Sequence, residues 1–477
     1  MNGARTILWT SSEAARAAGG TSVSEWAAYG VSIDTRTLEP GDLFIALTGE
    51  NRDGHEFVAD ALKKGAASAL VSRRPQGVPA AAPLLTVGDT QAGLEGLGRA
   101  ARARSAARIV AVTGSAGKTT TKEMLRLILS RALSREGAIA ASAASYNNHW
   151  GVPLSLARMA RDAAYGVFEI GMNHAGEIRN LVKIARPHVA LITTVAPAHL
   201  EYFGTLEAIA DAKAEIFEGI ETSGAAGAAG SAILPAENSQ FERLKAHAGR
   251  AGVSRILSFG ASAGADARLL SASAHGEGQK ILADIAGTRL AFAVGAAGMH
   301  IAMNAIAALL AARELGADLA RGADALVNFT ALKGRGARFS AGGIEIIDES
   351  YNANPASMAA ALDVLARTEP APGGRRIAVL GDMLELGAES AALHRALARN
   401  IAAARADAVF LCGPQMQALW QALPAKLRGY YCEKSSELAP EIVRSLKTGD
   451  VVLVKGSFGS CMSVVIDALR ALKAAAA

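Results

Sequence analysis

The stretch "VAVTGSAGKTTTKEML", Val110 to Leu125, joins an apolar run, a Gly-rich turn and the start of a helical pattern. Strand, turn and helix in this order are typical of a phosphate-binding loop, because a helix N-terminus offers unpaired N–H groups and a partial positive charge. The common motif places four residues between its first Gly and Gly-Lys-Ser/Thr. Here that first position is Val112, and Gly114 stands closer in. The stretch therefore predicts a nucleotide-binding parallel sheet with a tighter loop.

The loop residues have distinct expected roles. Lys118 would reach the β- and γ-phosphates, and the Thr119 hydroxyl would bind Mg²⁺. The alternative is an ordinary Gly-rich turn followed by a surface lysine. The backbone N–H groups expected around the polyphosphate belong to a run of small residues and the first helical turn: Gly114, Ser115, Ala116, Gly117, Lys118, Thr119 and Thr120.

Length and composition set limits on the class of protein. A chain of 477 residues exceeds one hydrophobic core, so two to four domains are expected. A net charge of +5 without runs of like charge gives no support for nucleic-acid or membrane-surface binding. Three distant cysteines without metal-binding spacing suit a reducing compartment, and the first twenty residues lack the apolar core of a secretion signal. We expect a cytoplasmic monomer.

One segment has a membrane-spanning length without a charged residue. Residues 290–312, "LAFAVGAAGMHIAMNAIAALLAA", contain no Asp, Glu, Lys or Arg. They do contain His300, Asn304 and two glycines, and the first half has the pattern of a strand and loop. We therefore expect a buried helix behind a site-forming loop, and no membrane span.

The order of apolar runs predicts three α/β domains. Residues 1–105 alternate short strands with helices, which indicates a small N-terminal domain. Residues 106–330 contain apolar strands linked by helices, as in a parallel sheet covered on both faces, and form the P-loop ATPase domain. Residues 331–477 begin at the Gly/Arg stretch "LKGRGARFSAGG" and resume strand-helix alternation, which predicts a C-terminal domain like a dinucleotide-binding fold.

Polar residues follow two apolar strands of the central region. In "FEIGMN", Glu169 and Asn173 end an apolar strand, and His199 and Glu201 follow the apolar strand "HVALIT". Ligands of open parallel sheets bind at the carboxyl ends of strands, where a carboxylate can hold Mg²⁺. The alternatives are a polar strand end and a structural histidine. Lys213, in "AIADAKAEIFEG", lies among apolar residues, and the pattern alone favours a snorkelling side chain.

A second polar group follows the strand "IEII". Asp348 ends this strand, and "SYNANPAS" supplies Tyr351, Asn352 and Asn354. Amides and hydroxyls at a sheet edge suit a polar ligand, although Asn, Pro and Ser also favour plain turns.

Together these motifs resemble the ATP-dependent Mur ligases of peptidoglycan synthesis. The resemblance runs from Ser32 to Ser457, and it is carried by "VTGSAGKTTTKEML", "YNNHWGVP", "FEIGMN", "AHLE", "AKAEIF", "GMHIAMNAIAA", "KGRGAR", "DESYNANPASM" and "VLGDMLELG". The last two motifs are similar to the final ligase of the pathway. That enzyme adds D-Ala-D-Ala to UDP-N-acetylmuramoyl-tripeptide through an acyl phosphate. The DNPR motif of the preceding ligase does not occur here.

The resemblance implies a role for each matching residue. ATP and Mg²⁺ are the implied cofactors, with Thr119, Glu169, His199 and a carbamylated Lys213 as metal ligands. Catalysis is assigned to Lys118, Lys213 and His199. Nucleotide contacts beyond the loop are implied for Asn304 (adenine), Arg335 (phosphates) and Asp348 (ribose). The implied substrate contacts are Thr35, Arg36, Thr48, Asn147, Asn148, Tyr351, Asn352 and Asn354.

The sequence departs from the family pattern in the last strand-loop segment. The family continues K-G-S-R-G with Met, Arg and an acidic residue, whereas this chain has "KGSFGSCMS". Phe458 and Cys461 stand where Arg is expected, and Ser463 stands where the acid is expected. Contacts to the dipeptide or to the closing domain could differ there.

Other functions stay open on sequence grounds. Within the superfamily, the chain could be the preceding Mur ligase or a folylpolyglutamate-type ligase, although "DTR" and "PGDLF" in the first region argue against the folate class. Outside it, a P-loop ATPase or kinase, or a non-catalytic relative, could share the loop. Phosphate release that requires an amine substrate would distinguish a ligase from these.

Overall fold

The computed structural model describes residues 6–133, 139–143, 145–221 and 230–472. The described residues form three α/β domains, each built around its own sheet, as the sequence predicts. The boundaries at residues 105 and 330 stay a prediction. They fall between the last strand of one sheet and the first strand of the next.

The N-terminal domain is a small sheet in the order β2-β7-β6-β5-β4, in which only β2 is antiparallel. Helices α1 and α3 cover one face, and Gly96 lets them approach, since a Cβ there would lie 2.2 Å from the Ala17 carbonyl oxygen. The elements are β1 (Trp9–Thr10), α1 (Ser11–Ala18), β2 (Thr21–Ser22), β3 (Ala27–Ala28), β4 (Gly30–Ser32), β5 (Asp42–Ile45), α2 (Val58–Lys63), β6 (Ser68–Val71), β7 (Leu84–Thr86) and α3 (Thr90–Ala103).

The central domain carries the phosphate loop. Its elements are β8 (Arg108–Thr113), α4 (Lys118–Ala132), β9 (Ile139–Ala141), α5 (Gly151–Ala157), β10 (Tyr165–Glu169), α6 (Glu177–Ala185), β11 (Val189–Ile192), α7 (Leu200–Phe203), α8 (Leu206–Ala214), β12 (Ser231–Pro235), α9 (Phe241–Arg250), β13 (Arg255–Gly260), β14 (Ala267–His275), β15 (Gly278–Ile285), β16 (Thr288–Val294), α10 (Met299–Glu314) and α11 (Leu319–Ala325).

The sheet of this domain runs in the order β16-β15-β14-β13-β12-β11-β8-β10-β9. Strands β8 to β13 are parallel and almost wholly apolar, because helices bury both of their faces. Beyond β14 the sheet continues as an antiparallel meander, which the sequence prediction of a parallel sheet did not include.

The uncharged segment 290–312 divides into β16, a loop and α10, as predicted. Helix α10 is buried against α4 and the sheet, which explains its apolar composition. Among the described residues, none of the helices has both the length and the apolar character needed to cross a membrane.

The C-terminal domain has the sheet order β17-β18-β22-β19-β20-β21, with only β17 antiparallel. Helices cover both faces, as in a doubly wound fold. The elements are β17 (Ala337–Ala341), β18 (Ile344–Glu349), α12 (Pro355–Arg367), β19 (Arg376–Gly381), α13 (Ser390–Ala403), β20 (Ala408–Cys412), α14 (Gln417–Ala422), β21 (Arg428–Cys432), α15 (Ser435–Ser445), β22 (Val451–Lys455) and α16 (Ser463–Arg470).

The carboxyl ends of strands from two sheets meet at one cleft. Glu169 ends β10 in the central domain, while Glu349 and Lys455 end β18 and β22 in the C-terminal domain, and all three line the same cavity. Both sheets therefore present the edge at which open α/β folds bind ligands.

Candidate active site

The phosphate loop leaves no room for larger residues. Gly114 and Gly117 have positive φ of 150° and 81°. A Cβ on Gly114 would lie 1.9 Å from Thr193 Oγ1, and one on Gly117 would lie 2.9 Å from Asn304 Oδ1. Thr193 follows β11, and its hydroxyl donates to the Ala116 carbonyl at 2.5 Å. Thr193 thus holds the loop in shape, a role that sequence reasoning missed.

Lys118 begins α4 and donates from Nζ to the Gly114 carbonyl at 2.8 Å. Burial lowers the pKa of Lys118, nearby Glu169 partly offsets this, and Arg335 lowers the pKa further. A partly desolvated cation at a helix N-terminus provides the charge that a polyphosphate needs.

Glu169 is the buried acid of the site, with 1% of its surface exposed. Its carboxylate accepts hydrogen bonds from Thr119 Oγ1 at 2.8 Å and from Asn147 Nδ2 at 2.6 Å. A carboxylate and a hydroxyl beside a phosphate loop are a donor set that Mg²⁺ prefers. These residues therefore fit a magnesium ion shared with a nucleotide.

His199 faces the cleft from the loop after β11 and precedes α7 with a φ of 59°. Its Nδ1 lies 2.5 Å from Glu385 Oε2 of the C-terminal domain. The hydrogen bond to His199 lowers the pKa of Glu385, and burial opposes this in part. Sequence reasoning gave no role to Glu385, although it lies in the quoted "VLGDMLELG".

Lys213 lies in the last turn of α8, a helix that begins after the capping side chain of Thr205. The lysine is 2% exposed, so it does not extend to solvent as its sequence pattern suggested. Burial, together with the charge of Lys118, lowers the pKa of Lys213 well below its ordinary value. A buried amine of this kind is neutral for more of the time, and it is therefore more nucleophilic.

The predicted nucleotide residues divide into two groups. Asn304 on α10 lies against Gly117, and Arg335 donates to Ser145 Oγ at 3.1 Å while its guanidinium lies 3.9 Å above the Tyr351 ring. Both line the cleft. Asp348 is fully buried, accepts a hydrogen bond from the Ser350 hydroxyl and does not line the cleft.

The residue next to Asp348 reaches the cleft instead. Glu349 forms an ion pair with the buried Lys455, 3.2 Å from Oε2 to Nζ. Lys455 also donates to the Asn352 carbonyl at 2.9 Å. Sequence reasoning missed both charges. The strand-end position of each, in "IIDES" and "LVKGS", was the available signal.

Asn354 connects the C-terminal domain to the phosphate loop. Its Nδ2 donates to the Ser115 carbonyl at 3.0 Å, while its Oδ1 accepts from Ser357 N and begins α12. Tyr351, Asn352 and Asn354 all line the cleft, as does Asn147. Asn148 instead accepts from Gly151 N at the start of α5.

The residues predicted for the UDP-sugar lie on the N-terminal domain and do not line this cleft. Arg36 is exposed, and its Nη2 lies 2.6 Å from Oδ2 of Asp34 in an ion pair. Thr48 is exposed and donates to Asp53 at 3.2 Å, and the Thr35 carbonyl accepts from Lys64. Their substrate role stays a prediction.

The divergent loop after β22 lies beside the C-terminal wall of the cleft. Phe458 is 75% exposed, and its ring centroid lies 6.1 Å from that of Tyr351. Cys461 is exposed with a φ of 51°. The loop thus offers an aromatic side chain at a position where the resemblance predicts Arg.

The cleft as a whole has a volume of about 590 Å³ and joins walls from the central and C-terminal domains. The predicted residues that it brings together are Ser115, Ala116, Gly117, Lys118, Thr120, Asn147, Glu169, His199, Asn304, Arg335, Tyr351, Asn352 and Asn354. A phosphate loop, a buried acid and polar groups from a second domain form the kind of site that activates one substrate with ATP and joins it to another.

Family models match successive parts of the chain. They describe the Mur ligase family, catalytic domain (residues 27–127), the Mur ligase middle domain (112–312) and the Mur ligase, glutamate ligase domain (334–458). The chain belongs to the Mur ligase family of ATP-dependent ligases.

Three individual similar proteins give a more specific comparison than these family models. The UDP-N-acetylmuramoyl-tripeptide--D-alanyl-D-alanine ligase of Escherichia coli is 36% identical over 442 residues, which cover 92% of this chain and 93% of that protein. The crystal structure of MurF from Acinetobacter baumannii aligns with a TM-score of 0.84 at 31% identity, covering 97% and 98% of the two chains. MurF from Thermotoga maritima in complex with ADP aligns with a TM-score of 0.76 at 26% identity, covering 92% and 97%.

Proposed function

We propose that this protein joins D-alanyl-D-alanine to UDP-N-acetylmuramoyl-tripeptide, with conversion of ATP to ADP and phosphate. The observation that carries the proposal is the direct contact of Asn354 with the phosphate loop inside a cleft lined by both domains. A ligase of this kind needs nucleotide and amine on opposite walls of one closed space. The named relatives, similar over more than nine-tenths of their length, support the choice of substrates.

In the proposed first step, the terminal carboxylate of the tripeptide attacks the γ-phosphorus, and the bond to the leaving ADP oxygen breaks. Lys118 and the N–H groups at the start of α4 would stabilise the negative charge that develops on the transferred phosphoryl group. Arg335 would contact the phosphates, and Asn304 the adenine. The product is an acyl phosphate, which water must not reach.

In the second step, the free amine of D-Ala-D-Ala attacks the acyl carbon and loses a proton, and inorganic phosphate leaves with the bonding electron pair. Tyr351, Asn352 and Asn354 on the C-terminal wall would contact the dipeptide side of the cleft. Thr35, Arg36, Thr48, Asn147 and Asn148 would contact the UDP-sugar and its peptide. Contact between the two walls at Asn354 would exclude water from the acyl phosphate.

Thr119, Glu169, His199 and a carbamylated Lys213 would hold Mg²⁺. When bound, the ion neutralises charge on the phosphates and on the attacking carboxylate. Within the described ranges, His, Cys, Asp and Glu side chains do not group in threes as a metal site. A carbamate on Lys213 would add a second anion to the Glu169 carboxylate in this set.

Carbamylation of Lys213 is chemically favoured by its surroundings. The neutral amine adds to the carbon of CO₂ and loses a proton, which gives a carbamate anion. The reaction removes the repulsion between Lys213 and Lys118 and replaces it with attraction. The lowered pKa of Lys213 raises the fraction of reactive amine.

Purified enzyme should be assayed with ATP, Mg²⁺, D-Ala-D-Ala and UDP-muramoyl-tripeptides that contain either diaminopimelate or lysine. We expect ADP release that requires both the tripeptide and the dipeptide, and a product with the mass of the UDP-muramoyl-pentapeptide. ADP release with water alone would indicate an ATPase and contradict the proposal. The preferred tripeptide identifies the third residue.

Lys118→Ala tests whether ATP and the UDP-muramoyl-tripeptide bind to different domains. We expect turnover to be lost while calorimetry still detects binding of the UDP-muramoyl-tripeptide. Loss of that binding would contradict the assignment of the UDP-sugar to the N-terminal domain.

A further inference from the structure

The loop after β19, residues 382–386, is fixed in place by two side chains from other elements of its own domain. Met383 N donates to Nε2 of the buried His394 at 3.0 Å, and Leu384 N donates to Ser457 Oγ at 2.9 Å. Ser457 N in turn donates to the Asp382 carbonyl at 2.9 Å. The backbone on either side of Leu384 therefore has little freedom, and Glu385 is held at a defined position.

This loop contacts the central domain at the start of α7. Glu385 Oε2 lies 2.5 Å from His199 Nδ1, and the Glu385 carbonyl accepts from Glu201 N at 3.0 Å. Gly387 adjoins the same segment, where a Cβ would lie 3.2 Å from Glu201 Cα. One side-chain bond and one backbone bond thus connect the two domains at His199.

Both partners have a strained backbone. His199 has a φ of 59° and Glu385 a φ of 62°, a conformation that disfavours residues with a side chain. The two side chains are 23% and 40% exposed, so a salt bridge by itself would contribute little. Strain that ordinary ion pairing does not offset is characteristic of functional positions.

The bond also determines which nitrogen of His199 can bind a cation. An Nδ1–H that donates to a carboxylate leaves the lone pair on Nε2, and His199 lines the cleft with the phosphate loop and Glu169. Carboxylates that accept from a metal-binding histidine usually fix its tautomer and ring orientation in this way.

The same domain face reaches the phosphate loop through a connected set of bonds. Ser457 Oγ, which holds Leu384, also donates to the Ala353 carbonyl at 3.3 Å. The next residue is Asn354, which donates to Ser115. Contact with His199 and contact with the phosphate loop therefore depend on one hydrogen-bonded part of the C-terminal domain.

We propose that Glu385 is a positioning residue that orients His199 toward the divalent cation only when the C-terminal domain has closed on the central domain. The inference rests on the proposed Mg²⁺ site. It makes cation binding and domain closure mutually dependent, because the carboxylate that orients the ligand comes from the domain that closes.

The test is the affinity of the purified full-length enzyme for Mn²⁺, a paramagnetic substitute for Mg²⁺, titrated by electron paramagnetic resonance with a non-hydrolysable ATP analogue present. We expect Glu385→Ala to weaken Mn²⁺ binding by about 10- to 100-fold. Glu385→Gln should weaken it less, since an amide oxygen still accepts from Nδ1–H. Glu389→Ala is the matched control, because Glu389 lies exposed a few residues further along the same segment.

Weakening below fivefold in Glu385→Ala would overturn the proposal, as would an equal loss in Glu389→Ala. Should Glu385→Ala fail to fold, the Glu385→Gln titration decides, with at least threefold weakening expected and no change overturning the proposal. Absence of Mn²⁺ binding in the unmodified enzyme would refute the metal site and this inference with it. Equal Mn²⁺ binding by the unmodified enzyme and by Glu385→Ala would refute only the role of Glu385.

Discussion

The side-chain amide of Asn354 donates to the main-chain carbonyl of Ser115, so the first turn of α12 in the C-terminal domain rests on the phosphate loop of the central domain. Ser115 is itself tied to the central sheet, since its hydroxyl donates to the Ala196 carbonyl at 2.9 Å. The nucleotide loop and the opposite wall of the cleft are therefore one hydrogen-bonded unit.

Asn354→Asp should remove the contact between the two domains at Ser115 and keep the N-terminal cap of α12. Asp is as good a helix cap as Asn, but it has no donor for Ser115 and brings a negative charge to a carbonyl oxygen. We expect kcat/KM for ATP to fall about tenfold, as for loss of one hydrogen bond worth about 1.4 kcal/mol. Steady-state kinetics measure kcat/KM, and a thermal melt checks that the helix cap still supports the fold.

The control for this change is Ser357→Ala. It removes the other half of the capping box, in which Ser357 Oγ accepts from Asn354 N, and leaves the Ser115 contact intact. We expect a lower melting temperature with nearly unchanged kcat/KM for ATP. A fall in kcat/KM equal to that of Asn354→Asp would contradict a role in closure.

Lys213→Ala should remove the carbamate that we propose as a metal ligand. We expect kcat to fall by at least the roughly 10- to 100-fold that loss of a residue supporting a metal ligand costs, and a short carboxylic acid to restore part of it by supplying the missing anion. Depletion of CO₂ should lower the activity of the unmodified enzyme, and bicarbonate should restore it.

Lys183→Ala, at an exposed position on α6, is the matched lysine control. It should keep full activity and show no response to added acid. Full activity in Lys213→Ala would remove Lys213 from the mechanism.

His188 should make stability depend on pH. Its Nδ1 accepts from Ile109 N at 2.9 Å, and burial with nearby Arg102 lowers the pKa of His188 to about 4. An unfolded histidine has a pKa near 6.5, so the unfolded state binds the proton first as pH falls. The stabilisation is complete above about pH 6.5 and is lost toward pH 4.

His188→Asn keeps an acceptor for Ile109 and removes the titration. Between about pH 7 and pH 4.5 we expect the unmodified protein to lose about 2 kcal/mol more stability than this variant. Denaturant titrations at each pH measure the difference. His174→Asn, at a side chain that is 61% exposed, should behave like the unmodified protein. Parallel pH curves for the unmodified protein and His188→Asn would contradict the prediction.

The cysteines should differ in reactivity. Burial, with Cys432 nearby, raises the pKa of Cys412 to about 12, and burial also raises the pKa of Cys432. Both thiols are therefore protonated near neutral pH and inert. We expect iodoacetamide to label exposed Cys461 alone in the native enzyme, as mass spectrometry of peptides can show. Early labelling of Cys412 would contradict this.

The local sequence pattern was sufficient to predict three α/β domains and the phosphate loop. Apolar strands buried on both faces and the turn at Gly114 to Gly117 are legible in sequence, because their periodicity and their glycines are local properties. The antiparallel extension through β14, β15 and β16 was missed, because its strands alternate buried residues with partly or fully exposed ones and lack the continuous apolar runs of the parallel strands.

The candidate site was predictable where one motif contributes several residues, as at Lys118 and Thr119. It was less predictable where the side chains of two adjacent residues have different surroundings. Asp348 and Glu349 are adjacent on β18, and alternation along a strand directs one into the core and the other into the cleft. Polarity alone could not distinguish them.

The sequence by itself determined a phosphate loop on a parallel sheet and, through its motifs, the ligase family. Only the tertiary structure decided that Lys213 is buried within reach of the charge of Lys118, that Glu349 and Lys455 pair at the wall of the cleft, and that Glu385 meets His199 across 186 residues of chain. The physical reason is that burial and charge pairing depend on which distant segments pack together. Propensity and periodicity report only on near neighbours.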